Sequence, residues 1–276
     1  MIRIVTDTSS DITRAEANAM NVELVSLPIH FAEFDYDPEQ DQDFSQFYSL
    51  LKKAKNSPTT SQPPPKAFEQ LFQDAKDAGD SVVAILLSGA LSGTFQSAVA
   101  AKETVGHPDV YLIDSRTAAM SLRMLVDEAV RLRNEGSSAA EIAREAQALC
   151  PRLRLWAQLD TLSYLYKGGR LSKTSALAGN LLGIKPIVTA EKGLVALSGR
   201  ARNYMGIIQK FMETGFDSAY PVYFAYTPPD DTARKLMQKT IEQCSLAAAT
   251  MFPLGSLIGA HVGPGCCGLA YVLPLK

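Results

Sequence analysis

A single histidine near the end of the chain stands among glycines, in Ser256-Leu257-Ile258-Gly259-Ala260-His261-Val262-Gly263-Pro264-Gly265-Cys266-Cys267-Gly268. Glycine lets backbone approach a ligand closely and supplies positive φ where a turn needs it. A histidine held there can meet a small anion or a polar head group. Strand-like apolar residues lie before it (Leu254, Leu257, Ile258) and after it (Leu269, Tyr271, Val272), so the same stretch also reads as strand-turn-strand with His261 a mere turn residue. Gly263 to Gly268 matches G-x-G-x-x-G, but that fingerprint needs a following helix, a second strand and a later acidic residue. Only eight residues remain after Gly268, and Pro264 has no N–H to offer a phosphate, so the dinucleotide reading is rejected.

Three further motifs carry groups of the same kind. Ser88-Gly89-Ala90-Leu91-Ser92-Gly93-Thr94-Phe95-Gln96-Ser97-Ala98 follows an apolar strand and opens a helix. Free N–H groups and the positive dipole end there favour an anion, and Ser92 either offers its hydroxyl to a carboxylate or phosphate or is an ordinary N-cap. The lysine of a phosphate-binding P-loop and the G-x-S-x-G of a hydrolase elbow are both missing. Thr60-Ser61-Gln62-Pro63 either completes an anion cradle with its hydroxyls or caps the helix after it. Lys167-Gly168-Gly169-Arg170-Leu171 sets two cations around a glycine pair. Arg170 suits bidentate recognition of a carboxylate or phosphate, or else serves the helix dipole. His30 and His107 read as structural. Asp35 to Asp43 read as a solvated loop, and Asp7 and Asp11 as lining and capping a sheet edge rather than holding a metal.

The elements that must position these groups alternate up to about residue 150. Strands are expected over 2–5, 22–31, 81–87 and 110–113, and helices over 13–20, 44–55, 66–78, 92–105, 117–134 and 139–149. Such alternation implies a doubly wound parallel sheet, with ligands beyond the carboxyl ends of its strands. Thr6-Asp7, Ser88 and Asp114-Ser115 lie at those ends. From Pro151 the pattern becomes α+β. Strands over 154–159, 184–189, 194–201, 221–226 and 269–273 mix with helices over 162–167, 203–214 and 230–244, which suggests a partly antiparallel sheet. The expected organisation is α/β in two domains, residues 1–150 and 151–276, with a ligand cleft between them.

Composition removes several classes. A net charge of −2 on 276 residues argues against nucleic acid or an anionic membrane as the main partner, leaving at most transient membrane contact. The four cysteines form no CxxC, so neither a zinc site nor a disulfide framework is indicated, and free thiols fit a reducing cytoplasm. The N-terminus runs straight into a strand pattern and lacks the form of a signal peptide. No apolar run is long enough to span a bilayer.

Taken in order along the chain, these motifs resemble the DegV family of bacterial lipid-binding proteins. The match runs through Thr6-Asp7-Thr8-Ser9-Ser10-Asp11, Thr60-Ser61-Gln62-Pro63, Leu91 to Ala98, Asp114-Ser115, Leu165 to Leu171, Lys185-Pro186-Ile187 and Ile258 to Gly265. The resemblance implies one long-chain fatty acid, such as palmitate, stearate or oleate, bound between two α/β domains, with no further cofactor and no metal. It also implies a carrier subunit that presents the carboxylate to a separate ATP-dependent fatty acid kinase subunit, giving an acyl phosphate for phospholipid synthesis. By that similarity Thr60 and Ser92 bind the carboxylate, while His261, Arg170 and Arg202 lie near the head group or face the kinase. The chain departs from the family pattern at Gly89, where a second serine is common, and at Pro64-Pro65. Two rival readings stand beside it: an acyl hydrolase or transferase using Ser92 with His261, and a pure protein-interaction module.

Overall fold

The computed structural model describes residues 1–41, 43–171, 183–246 and 248–275. In chain order its elements are β1 (Ile2–Asp7), α1 (Arg14–Met20), β2 (Val22–Val25), β3 (Ile29–His30), α2 (Ser45–Lys53), β4 (Thr59–Thr60), α3 (Pro65–Ala78), β5 (Ser81–Leu86), α4 (Thr94–Val105), β6 (Val110–Asp114), α5 (Ala119–Asn134) and α6 (Ala139–Leu149). They continue with β7 (Leu153–Gln158), α7 (Ser163–Lys167), β8 (Lys185–Glu191), β9 (Leu194–Ala201), α8 (Met205–Thr214), β10 (Val222–Tyr226), α9 (Asp231–Cys244), β11 (Ala249–Pro253), α10 (Ser256–Val262) and β12 (Cys267–Val272). One sheet has the order β2-β1-β5-β6 and is parallel throughout. The other has the order β11-β10-β12-β7-β8-β9, in which β10 and β11 run parallel and the remaining pairs antiparallel. This is the mixed α/β architecture expected, with a parallel sheet followed by a largely antiparallel one.

The burial pattern follows from the sequence. β5 is apolar and buried from Val82 to Leu86, as a parallel strand covered on both faces must be. On one face α3 and α4 supply Phe68, Phe72, Ala98 and Ala101. On the other α5 and α6 supply Leu122, Leu125, Ile142 and Ala146. α5 touches β1 and β5 as well as β7, β10 and β12, so it lies between the two sheets. Its buried residues run Ala119 to Leu122 and Met124 to Val126, more than one apolar stripe, which fits a helix enclosed on two sides. The far face of the second sheet is covered by Ile207, Phe211 and Leu236 of α8 and α9, against Phe224, Leu269 and Tyr271. α1 and α6 open on capping boxes, Thr13 with Glu16 and Ser138 with Glu141, which satisfy helix N–H groups that would otherwise be orphaned.

Three expectations are corrected. The strand over 22–31 breaks after Val25, and only Ile29 and His30 resume as β3. Pro28 has no N–H for a ladder, and the Leu27 N–H donates instead to Thr8 Oγ1 at 3.1 Å. The residues before His261 are a helix, α10, not a strand. Leu257 and Ala260, three apart, bury one face of it, and the strand-like run of apolar letters was too short to distinguish the two periods. The acidic loop 35–43 is only partly solvated. Asp41 is buried and accepts the Gln46 and Phe47 N–H groups at 3.2 and 2.8 Å, fixing the start of α2.

α10 is anchored to the first sheet by Asp11, whose Oδ1 accepts the Gly255 N–H at 2.7 Å. Oδ2 of Asp11 is buried with no partner. Burial pushes this carboxyl up to about 8, outweighing the Gly255 bond and the Arg123 charge, so it is neutral at pH 7 in the folded chain. The unfolded chain releases that proton near pH 4, so stability is lost as pH rises from about 4 to about 8, by up to about 1.4 kcal/mol per pH unit. Asp11→Asn keeps the acceptor and removes the proton. Thermal melts at pH 5 and pH 8 should show the variant gaining on the wild type at the higher pH, and a constant difference across that range would contradict the assignment.

Candidate functional site

A cavity with about 960 Å³ of free space, counting what opens to solvent at its mouth, lies where the carboxyl ends of the parallel strands meet the face of the second sheet. Its walls are aliphatic. Leu27, Leu87 and Leu91 come from the first unit, Met120 from α5, Leu155 and Ala157 from β7, Val188 from β8, Val195 from β9, and Leu257, Ile258 and Val262 from α10 or its edge. Spacing by two along β7 turns Leu155 and Ala157 to one face, and spacing by four along α10 does the same for Ile258 and Val262.

The polar groups that line this space are each held by hydrogen bonds to neighbouring side chains or backbone. Thr60, held on β4 by its pairing with Ile29 of β3, shares a 2.9 Å hydrogen bond between its Oγ1 and Nε2 of His261 in the last turn of α10. Arg170 follows α7; its Nε donates to the Leu91 carbonyl at 3.2 Å and one terminal nitrogen to the Gly168 carbonyl at 2.5 Å. Ser92, next to Leu91, shares a 2.9 Å bond with the Thr94 hydroxyl and accepts the Thr94 N–H at 3.3 Å at the start of α4. Gln62, two residues after Thr60, donates its Nε2 N–H to Ser97 Oγ at 3.2 Å, which ties this segment to the first turn of α4. Ser61 also lines the cavity. The three sequence motifs and His261 therefore converge on one rim.

Burial and the neighbouring Arg170 charge lower the His261 pKa to about 4, so the imidazole is neutral near pH 7 and Arg170 supplies the positive charge of the rim. Nδ1 of His261 is buried without a partner and faces Gly168, where an added Cβ would stand 2.6 Å from it. With Nε2 as the protonated nitrogen, His261 donates to Thr60 Oγ1 and leaves the Thr60 hydroxyl proton free for an incoming acceptor. Thr60, Ser61 and Ser92 hydroxyls with the Arg170 guanidinium then form a donor set suited to a carboxylate.

The other sequence candidates fall elsewhere. Arg202 is exposed just past the end of β9 and does not line the cavity. Ser92 and His261 bond to Thr94 and Thr60, not to each other, so no nucleophile–base pair is assembled. Asp7 accepts Ser9 N–H and Leu87 N–H, at 2.9 and 2.8 Å, and Asp114 accepts Gly89 N–H at 3.1 Å; both shape loops. Burial raises the Asp7 carboxyl above its usual range. His107 is buried against the Asp80 carbonyl, and His30 is exposed. Pro65 is the first residue of α3, a position that tolerates its missing N–H. Leu165 lines the cavity and Leu159 is core; residues 172–182 lie outside the described residues. Sequence reasoning missed Leu27, Met120, Val188 and Val195, which look like core in any pattern of letters, and, beside His261, it missed the apolar wall of Leu257, Ile258 and Val262, which a helical reading of α10 would have found.

A two-sheet α/β chain with an aliphatic cavity and a hydroxyl-and-arginine rim is thus defined. The model of the DegV family, described as "Uncharacterised protein, DegV family", matches residues 1–273. The chain belongs to the DegV family. It is 34% identical over 275 residues to a DegV domain-containing protein of Caldanaerobacter subterraneus subsp. tengcongensis, covering 98% of each chain. It is similar to the crystal structure of DegV, a fatty-acid-binding protein of Bacillus subtilis, at 28% identity, TM-score 0.84 and 99% coverage of each. A fatty-acid-binding DegV family protein of Thermus thermophilus is similar at 29% identity, TM-score 0.86 and 99% coverage of each.

Gly168→Ala tests the rim. The added methyl must push the imidazole off Thr60, and the variant should lose the Thr60–His261 bond and melt lower than the wild type. The His261 titration should rise from about 4 toward the value of a free imidazole as the ring becomes solvated, read by NMR of the ring protons. An unchanged titration would show that Gly168 does not set the position of His261.

Proposed function

We propose that this chain binds one long-chain fatty acid, such as palmitate, stearate or oleate, with the acyl chain in the aliphatic cavity and the carboxylate at the rim. Thr60 and Ser92 bind the carboxylate, Arg170 balances its charge, and His261 holds the Thr60 hydroxyl in position. The observation that carries this reading is the makeup of the lining: it is largely aliphatic, and its polar members include Thr60, Ser61, Ser92, Arg170 and His261, with Thr60 bonded to His261 and Arg170 to the carbonyl of Leu91 beside Ser92. An unpaired charge in an apolar site is costly, so a donor set beside largely aliphatic walls fits an amphipathic anion. The fatty-acid-binding relatives from Bacillus subtilis and Thermus thermophilus support the same ligand class.

The second part of the proposal concerns use. The chain acts as a cytoplasmic carrier in two domains, 1–150 and 151–276, and presents the carboxylate to a separate ATP-dependent fatty acid kinase subunit that forms an acyl phosphate for phospholipid synthesis. Arg202, exposed beyond β9, faces that partner rather than the acyl chain. Among the described residues no helix is long and apolar enough to cross a membrane.

Native mass spectrometry of the purified protein should show one added fatty-acid mass. A bare mass with no uptake of palmitate or oleate would overturn the ligand assignment. Each methylene buried contributes about 0.8 kcal/mol, so myristate, two methylenes shorter than palmitate, should bind roughly 15-fold more weakly. Thr60→Val should weaken palmitate roughly tenfold or more, the effect of one hydrogen bond to a charged group. For the partner, loaded protein, ATP and the candidate kinase subunit together should yield acyl phosphate, trapped by hydroxylamine. Arg202→Glu should slow that reaction while leaving palmitate affinity unchanged; equal turnover by the variant would remove Arg202 from the partner surface.

A further inference from the structure

Thr60 and Ser92, the two hydroxyls assigned to the carboxylate, stand on separate segments. Thr60 bonds to His261 and Ser92 to Thr94, so neither holds the other. α3 and α4 pack side by side through Phe68, Phe72, Ala98 and Ala101, which brings the segment entering α3 near the segment entering α4. That packing places two helices; the spacing of two hydroxyls on the loops ahead of them needs a closer tie. The backbone around Thr60 is tied in another direction. Thr60 pairs with Ile29 of β3, and the Ser61 N–H donates to the Pro28 carbonyl at 3.1 Å.

The tie toward Ser92 comes from Gln62. Its Nε2 donates to Ser97 Oγ at 3.2 Å. Its amide lies on Gly93, the residue after Ser92 and the N-cap of α4. A Cβ added to Gly93 would overlap Oε1 of Gln62, and its next nearest neighbours, at 2.5 and 2.9 Å, are Cδ and Nε2 of the same side chain. Gly93 has φ −73°, a value open to any residue. Glycine is therefore needed here for room and not for backbone freedom. Pro63 disfavours the helical region for Gln62, and α3 begins only at Pro65, so Gln62 stays in the connection that carries Thr60. Gln62 is itself exposed and does not line the cavity, so it belongs neither to the core nor to the acyl wall.

We propose that Gln62 is a positioning residue of the carboxylate site: seated on Gly93 and bonded to Ser97, it sets the separation of Thr60 from Ser92. It touches neither the carboxylate nor the acyl chain and acts through the Thr60 hydroxyl that it places. The inference rests on the proposed fatty-acid ligand and adds the residue pair, Gln62 on Gly93, that gives the rim its width.

Calorimetric titration of the delipidated protein with palmitate and with myristate tests it. Gln62→Ala should weaken both ligands about fivefold, the worth of one neutral hydrogen bond. The palmitate-to-myristate ratio should stay at the wild-type value, because the walls are untouched. In the Thr60→Val background the same substitution should add no more than about twofold, since the hydroxyl it places is already gone. Gly93→Ala pushes the amide off its seat and should reproduce the loss, yet have no further effect in the Gln62→Ala background, where the added methyl meets open space. Wild-type affinity in Gln62→Ala would overturn the positioning role. So would full multiplication of the Gln62→Ala and Thr60→Val losses, or a Gly93→Ala loss that is the same with and without the glutamine. Each of these leaves fatty-acid binding in place. Failure of the wild type to take up palmitate would instead overturn the proposed function, and the role of Gln62 with it.

Discussion

An aliphatic cavity admits an anion only if the anion never loses its hydrogen bonds. That constraint organises this molecule. In the proposed reading the donors that meet the anion are Thr60, Ser61, Ser92 and Arg170, beside largely aliphatic walls, and four separate segments must be brought together to supply the rim. Thr60 arrives on a two-residue strand, Ser92 ahead of a helix, Arg170 after a short helix, and His261 at the end of another. None has a neighbour within the rim from its own element. The fold is the device that assembles them.

Neutrality of His261 follows from the same constraint. A charged imidazole next to Arg170 would need two counter-charges in a half-buried ring, and burial with the arginine beside it holds the ring neutral instead. The rim then offers one net positive charge with hydroxyls beside it, which suits the single carboxylate proposed. Gly168 matters for a steric reason. It is the surface against which the unpartnered Nδ1 rests, and it fixes the ring so that Nε2 meets Thr60. Asp11 acts further back by holding the start of α10, the helix that carries His261 and part of the apolar wall.

Much of this was legible in the sequence, for reasons that differ by element. The parallel strands announced themselves because burial on both faces leaves a continuous apolar run, as in β5. Helices α1 and α6 were expected from the pattern of apolar residues, and the structure adds the capping boxes Thr13–Glu16 and Ser138–Glu141 that fix where they start. The rim residues stood out because hydroxyl, glycine and arginine are unusual choices beside apolar strands, and their order along the chain matched a known family. α10 was not legible, since seven residues hold barely two turns and its apolar letters suit a strand equally. Asp41 and Asp114 looked like solvent or ligand groups because sequence does not show which backbone N–H groups a carboxylate will meet. The cavity walls were invisible for a deeper reason: a leucine facing empty space and a leucine facing another leucine are the same letter.

The central claim is that the rim holds an ionised carboxylate. Palmitate labelled with carbon-13 at the carboxyl group measures this directly by NMR on the loaded protein. One sharp signal, held at the position of the anion as the pH falls from 8 to 5, is the predicted result, because donors aimed at the charged form depress its pKa. A signal that titrates across that range like fatty acid dispersed in detergent would contradict the account.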